Sequence, residues 1–130
     1  MTNTPVHTKN AASPAGPNSQ AIRVGDLVFV SGQLPLDPSG ALVGAGDIRS
    51  QTQRVLDNIA AILHEAGSSL EQAVKTTVFL TSLDDFIGMN EIYASTFQPP
   101  YPARTTVEIS RLPSGMLLEI DCIARLERTP

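Results

Sequence analysis

The chain has 130 residues, of which 42% are hydrophobic and 17% charged, and its formal net charge is −4. This length and composition predict one globular domain over residues 1–130, in which residues 1–15, rich in Thr, Asn, Ala and Pro, form a loose N-terminal lead-in. The acidic balance and the lack of a basic run argue against nucleic acid as a partner, because phosphate binding needs clustered Lys or Arg.

Cysteine and histidine are too few for a disulfide or a structural zinc site, since the chain carries only Cys122, His7 and His64. It contains no GxxxxGK[ST] phosphate loop and no dinucleotide-binding glycine pattern after a strand, so we expect no cofactor and no metal. The N-terminus lacks the apolar core of a signal peptide, and no apolar run approaches the roughly 20 residues of a membrane helix. The sequence therefore predicts a cytoplasmic protein without a membrane partner.

The first half of the chain predicts a hairpin and a long helix. "QAIRVGDLVFVSGQLPL" has the β-branched and aromatic content of two strands, with a turn at Val24-Gly25-Asp26. Asp47 can cap a helix whose apolar residues recur at helical spacing up to Ala66, and Gly67 ends it.

The second half predicts three strands and one more helix. "VKTTVFLTS" (74–82) is a strand, and a helix follows with Phe86, Met89, Tyr93 and Phe97 on one face before "QPPYP" ends it. "ARTTVEIS" and "MLLEIDCIARLE" are the last two strands. The order β-β-α-β-α-β-β predicts an α+β fold with one mixed sheet and both helices on one face.

The last strand carries apolar residues on both faces. Leu118, Ile120, Cys122 and Ala124 alternate with a second set formed by Leu117, Glu119, Asp121 and Ile123. A bare apolar face marks an interface, so we expect further copies of the chain to cover the helix-free side.

Two charged residues are candidates for chemistry. Arg104 begins a strand directly after a proline-rich stretch, and it is either a solvated strand end or an anchor for a carboxylate. Glu119 lies among apolar residues, where it either forms a structural salt bridge, with Arg104 or Arg111, or holds a water molecule. Asp121 shares its face and competes for the second role.

Three segments together resemble the RidA family of reactive-intermediate deaminases, over about residues 15–126. The resemblance rests on "SGQ-P", "N-IY---F", "PAR---E---LP" and "EI---A" in this order. It implies a chorismate-mutase-like fold and a homotrimer with three sites in clefts between subunits. It also implies hydrolysis of 2-imino acids, or enamine tautomers such as 2-aminoacrylate, to 2-oxo acids and ammonia.

The resemblance also assigns residues. It implies that Arg104 binds the substrate carboxylate and that Glu119 lies near the attacking water, which makes both catalytic. The implied substrate-binding positions are Arg104, Thr106, through its backbone N–H, and Ser31, Gly32, Asn90 and Asn18. The family often has tyrosine at position 18 and cysteine at position 106, so substrate preference stays open.

Three other functions remain open. The chain could form a trimer that binds a small carboxylate without turnover, for regulation or metabolite buffering. A ribonuclease, a label often attached to this family, is disfavoured by the charge of −4. A deaminase that serves one catabolic pathway is the third.

Overall fold

Six strands form one mixed sheet in the computed structural model, which describes residues 2–127. The sheet order is β1-β2-β3-β6-β4-β5, and every neighbouring pair is antiparallel except β4 with β5. The strands are β1 (Thr4–Val6), β2 (Ala21–Val24), β3 (Leu27–Gln33), β4 (Ala73–Leu80), β5 (Ala103–Glu108) and β6 (Leu118–Arg125). The predicted mixed sheet is confirmed.

The predicted hairpin is β2 and β3, joined by Gly25 and Asp26. Gly25 has φ +56, a left-handed conformation that glycine adopts without a steric penalty. The register of β3 against β6 shifts between Val30 and Gln33, so that two residues of β3 lie opposite one residue of β6. This β-bulge shapes the site described below.

Helix α1 (Ile48–Ala66) begins and ends where the sequence predicts. The Asp47 side chain accepts hydrogen bonds from two backbone N–H groups of the first turn, and Gly67 ends the helix with φ +86. Its apolar stripe is fully buried, and each such side chain contributes about 1.5–3 kcal/mol of burial free energy. The stripe is Val55, Leu56, Ile59, Ile62 and Leu63.

Helix α2 (Phe86–Thr96) packs beside α1 on the same face of the sheet. Together the helices cover the inward side chains of the central strands, which include Leu80 in β4 and the alternating set Leu118, Ile120, Cys122 and Ala124 in β6. Both helices on one face, as predicted, are therefore confirmed.

The other face, called the open face below, has no helix over it among residues 2–127. Phe29 and Val107 are 42% and 37% exposed there, and the second β6 set is half-buried. The predicted two-sided alternation of β6 is confirmed.

The N-terminal lead-in is better ordered than the sequence predicts. Thr4–Val6 form β1, which pairs with β2, and Val6 is 6% exposed. The buried Gln20 amide ties this segment down: its Oε1 accepts from the Thr8 N–H at 2.7 Å, and its Nε2 donates to the carbonyls of Thr8 and Ala12. The prediction of a loose segment was wrong because composition does not show the hydrogen bonds that the buried Gln20 amide makes with this segment.

None of the helices within residues 2–127 combines the length and the apolarity needed to span a bilayer.

Candidate functional site

Arg104 is held against helix α2. It is the second residue of the edge strand β5, and its side chain lies on the helix face. Its guanidinium carbon is 4.6 Å from the centroid of the Tyr93 ring and 5.6 Å from that of Phe86. Nη1 donates to Asn90 Oδ1 at 2.8 Å. Two ring faces and one amide fix the group's orientation, with roughly 0.5–2 kcal/mol from each cation–π contact.

The guanidinium borders a cavity of about 420 Å³. Within residues 2–127 the one ion pair joins Arg49 to Glu91. No carboxylate of these residues lies within 4.0 Å of the Arg104 guanidinium. A half-buried cation without a counter-ion favours a small anion, and a carboxylate can accept two parallel bonds from it. The cavity is lined by Asn90, Tyr93, Ala94, Tyr101, Pro102 and Arg104.

A second group of predicted site residues lies around the β3 bulge. Asn18, Ser31 and Gly32 line a smaller groove of about 160 Å³. The Ser31 hydroxyl donates to the carbonyl of Ser19 at 2.6 Å. With its nitrogen turned toward them, the Asn18 amide donates to the carbonyls of Ala15 and Gly16 at 3.1 and 3.2 Å. Both side chains hold their own loop in shape.

Glu119 lies on the open face beside this bulge. A Cβ added at Gly32 would overlap Glu119 Oε2, so the carboxylate rests directly against the glycine. Burial raises the pKa of Glu119, and the nearby Asp121 charge raises it further. Asp121 Oδ1 accepts from the Thr77 N–H at 3.0 Å, whereas Glu119 has no such donor among residues 2–127. Of the two acids, Glu119 is the one whose carboxylate has no hydrogen-bond donor among the described residues.

Arg104 and Glu119 lie on opposite faces of the sheet. In β4, which separates their strands, Thr76 is the neighbour of Arg104 and Phe79 is the neighbour of Glu119. Positions three apart in a strand point to opposite faces. One chain therefore presents two half-sites: Arg104 with Asn90, and Glu119 with Gly32.

Thr106 shares the face of Arg104, two residues further along β5. Its Oγ1 is buried, with no hydrogen-bond partner among residues 2–127. The sequence did not single out Tyr93, Phe86 and Tyr101 as site residues. The helical spacing of Tyr93 and Phe86 predicted only a packing face of the helix. In the structure the two rings also contact the Arg104 guanidinium.

No metal centre emerges from the described residues: no three His, Cys, Asp or Glu side chains cluster closely enough to hold an ion. The fold and the two half-sites define a small α+β protein with a candidate pocket for a small anion. The family model for Endoribonuclease L-PSP matches residues 8–126. The chain belongs to this family, which is the RidA family.

Named relatives cover almost the whole chain. A RutC family protein of Pyrococcus abyssi is 51% identical over 122 residues, which are 94% of this chain and 96% of the relative. Reactive Intermediate Deaminase A of Arabidopsis thaliana, a chloroplastic protein, is 43% identical over 93% of this chain and 65% of its own length. The crystal structure of Escherichia coli TdcF with bound serine superposes with a TM-score of 0.87 at 35% identity, covering 95% of this chain and 99% of that one.

Proposed function

We propose that the protein hydrolyses reactive 2-imino acids and their enamine tautomers, of the 2-aminoacrylate type, to 2-oxo acids and ammonia. The observation that carries this proposal is the half-buried Arg104 guanidinium, held by Asn90 and two rings at a cavity where residues 2–127 supply no counter-ion. A substrate carboxylate supplies the missing charge. The Arabidopsis relative carries the name of this activity, and TdcF binds serine, which has the same carboxylate next to a nitrogen-bearing carbon.

The geometry suggests a division of labour. Arg104 binds the carboxylate, and this orients the C=N bond. Because β5 is an edge strand, one side of its backbone is unpaired in the sheet, so the Thr106 N–H and its neighbours can bind the imine. Glu119 holds the water that attacks the imine carbon, and the resulting carbinolamine expels ammonia. Positioning of this kind is worth several kcal/mol of barrier, which suits a reaction that is already fast in water.

The proposal includes a homotrimer. Arg104 and Glu119 point away from each other in one chain, so a complete site requires the open face of a second copy to bring Glu119, Ser31 and Gly32 to Arg104. Exposed apolar residues of that face, such as Phe29, would be buried by the same contact. We place the trimer in the cytoplasm, where pyridoxal-phosphate enzymes would supply the imines.

The first test measures imine loss after an amino-acid oxidase has generated 2-imino acids. Arg104→Ala is expected to lose at least about a hundredfold in kcat/KM, because the carboxylate loses two charge-assisted bonds. Arg23→Ala, at an exposed arginine of strand β2, is the control and should behave like wild type. Equal acceleration by wild type and Arg104→Ala rejects the anchor. Tight 2-oxo acid binding without turnover by wild type supports the carboxylate-binding trimer instead.

The second test mixes subunits. Arg104→Ala and Glu119→Gln subunits should each retain only a small residual activity alone, but a mixed trimer contains one interface with both intact residues. Random mixing should restore about a quarter of wild-type activity. No restoration after unfolding and refolding the mixture together would show that the two residues do not meet between copies.

A further inference from the structure

Gly32 is a glycine that its backbone conformation does not explain. Seven glycines of the chain have φ between +56 and +90, where a side chain is strained, and Gly32 is not among them. What excludes a side chain is space: a Cβ would overlap Glu119 Oε2, and it would lie 2.7 Å from Glu119 Cδ and 3.1 Å from Cγ. The position of one carboxylate therefore accounts for this glycine.

We propose that Gly32 is a positioning residue: its missing side chain leaves a slot in which the Glu119 carboxylate lies against the β3 bulge, and this slot sets where Glu119 holds the attacking water. The inference rests on the proposed function, because that function gives Glu119 its role. It adds a steric reason for the location of the carboxylate.

The slot matters because little else fixes Glu119. Among residues 2–127 the carboxylate has no hydrogen-bond donor, while Asp121 is bound to the Thr77 N–H. A glutamate side chain has three rotatable bonds, so contact with its surroundings decides its orientation. On the β6 ladder its neighbour in β4 is Phe79, which offers no donor. The backbone of Gly32 is the close contact that the structure shows for this carboxylate.

The backbone next to Gly32 is held in place by hydrogen bonds of Ser31. The Ser31 N–H donates to the Gln20 carbonyl at 2.9 Å, and the Ser31 hydroxyl donates to Ser19. The peptide before Gly32 is thus tied to the preceding loop and resists a shift. In Gly32→Ala the flexible end of Glu119 must therefore move, by roughly 1 Å or more, before the contact becomes an ordinary one.

This arrangement separates stability from catalysis. Alanine is compatible with the backbone at position 32, and its only severe overlap is with the end of a flexible side chain. We expect the Tm of Gly32→Ala to stay within about 3 °C of wild type. Because displacement of a catalytic group by about 1 Å can cost a hundredfold, we expect kcat to fall about 10- to 100-fold.

A double-mutant cycle assigns the effect to Glu119. In a Glu119→Gln background, Gly32→Ala is expected to cause no further loss of kcat, because the carboxylate that it would displace has already been replaced by an amide. Asp121→Asn is the matched control background: it changes an acid two residues away on the same face, and there the full effect of Gly32→Ala should persist. The same loss of kcat in the Glu119→Gln background, or wild-type kcat in Gly32→Ala, overturns the proposal.

A measurement without turnover keeps the inference separate from the proposed function. The Glu119 carboxyl is titrated by carbon NMR with labelled glutamate, and Glu119→Gln identifies its signal. The other charged groups on this side are Asp121 and Arg125 in β6 and Lys75 in β4, while β3 supplies none. Arg125 donates to Gln72 Oε1 and Lys75 Nζ donates to Thr105. Gly32→Ala should lower the pKa of Glu119 toward its ordinary value, because the carboxylate is pushed out of its slot. An unchanged titration overturns the slot, whereas failure of wild type to hydrolyse imines overturns the proposed function alone.

Discussion

The pair Thr76 and Tyr93 makes the support of Arg104 testable. The Thr76 hydroxyl and the Tyr93 phenol lie 2.7 Å apart, and the two residues are 0% and 4% exposed. The bond ties α2 to β4 directly beneath the guanidinium. Burial raises the pKa of Tyr93, so the phenol stays neutral across the working pH range.

Tyr93→Phe removes one partner of this bond and keeps the ring. The Thr76 hydroxyl is then buried without a partner, which costs about 1–3 kcal/mol of unfolding free energy. Thr76→Val should cost a similar amount, because it leaves the phenol unpaired. The double variant removes both polar groups and should be less destabilised than the sum of the single variants, with a coupling of about 1–2 kcal/mol.

The same variants separate stability from anion binding. The ring remains 4.6 Å from the guanidinium carbon in Tyr93→Phe, so the Kd for a 2-oxo acid, measured by calorimetry, should stay within about threefold of wild type. Tyr93→Leu removes the ring and should weaken binding about 2- to 30-fold. Additive stability losses in the cycle, or equal Kd values for Tyr93→Phe and Tyr93→Leu, would refute this account of how Arg104 is supported.

Three further predictions concern other buried groups. Thr106→Val should raise the unfolding free energy by about 1 kcal/mol in denaturant titrations, because it removes a buried hydroxyl without a partner, whereas Thr106→Ser should not; a loss in Thr106→Val would mean that assembly supplies a partner. The folded protein raises the pKa of Glu119. The contribution of this carboxyl to the unfolding free energy is therefore fully present below its ordinary pKa and is lost as the pH rises through its pKa in the folded protein. Glu119→Gln should therefore gain stability relative to wild type as the pH rises above the ordinary value of 4.5, and a constant difference would contradict this. Cys122 is 1% exposed and burial raises its pKa to about 12, so native protein at about pH 8 should react with iodoacetamide at least about a thousandfold more slowly than unfolded protein. Comparable rates before and after unfolding would show that the thiol is accessible.

Local rules explain why much of the fold was predictable. Asp47 and Gly67 bound α1 because a side-chain cap and a left-handed glycine act on adjacent backbone groups. The alternation of β6 gives its buried set because the period of a strand is two. Each of these features depends on residues close in sequence, so the sequence is enough to predict it.

The arrangement of the two half-sites was not predictable in the same way. Alternation tells which residues of one strand share a face, but it does not relate the faces of different strands. The opposite placement of Arg104 and Glu119 depends on their register against β4, and the bulge at Ser31 and Gly32 depends on register against β6. Register of this kind is set by long-range pairing.

The two readings of Glu119 left open by the sequence now differ in a measurable way. Within residues 2–127 no ion pair joins Glu119 to an arginine, so a structural salt bridge with Arg104 or Arg111 could form only between copies. A bridge to Arg104 would occupy the anchor, and a bridge to either arginine would pull the pKa of Glu119 below its ordinary value. A carboxylate that holds water against the Gly32 backbone keeps the raised pKa that burial and Asp121 impose on the single chain. The direction of that one titration in the assembled protein decides between a structural salt bridge and a carboxylate that holds water.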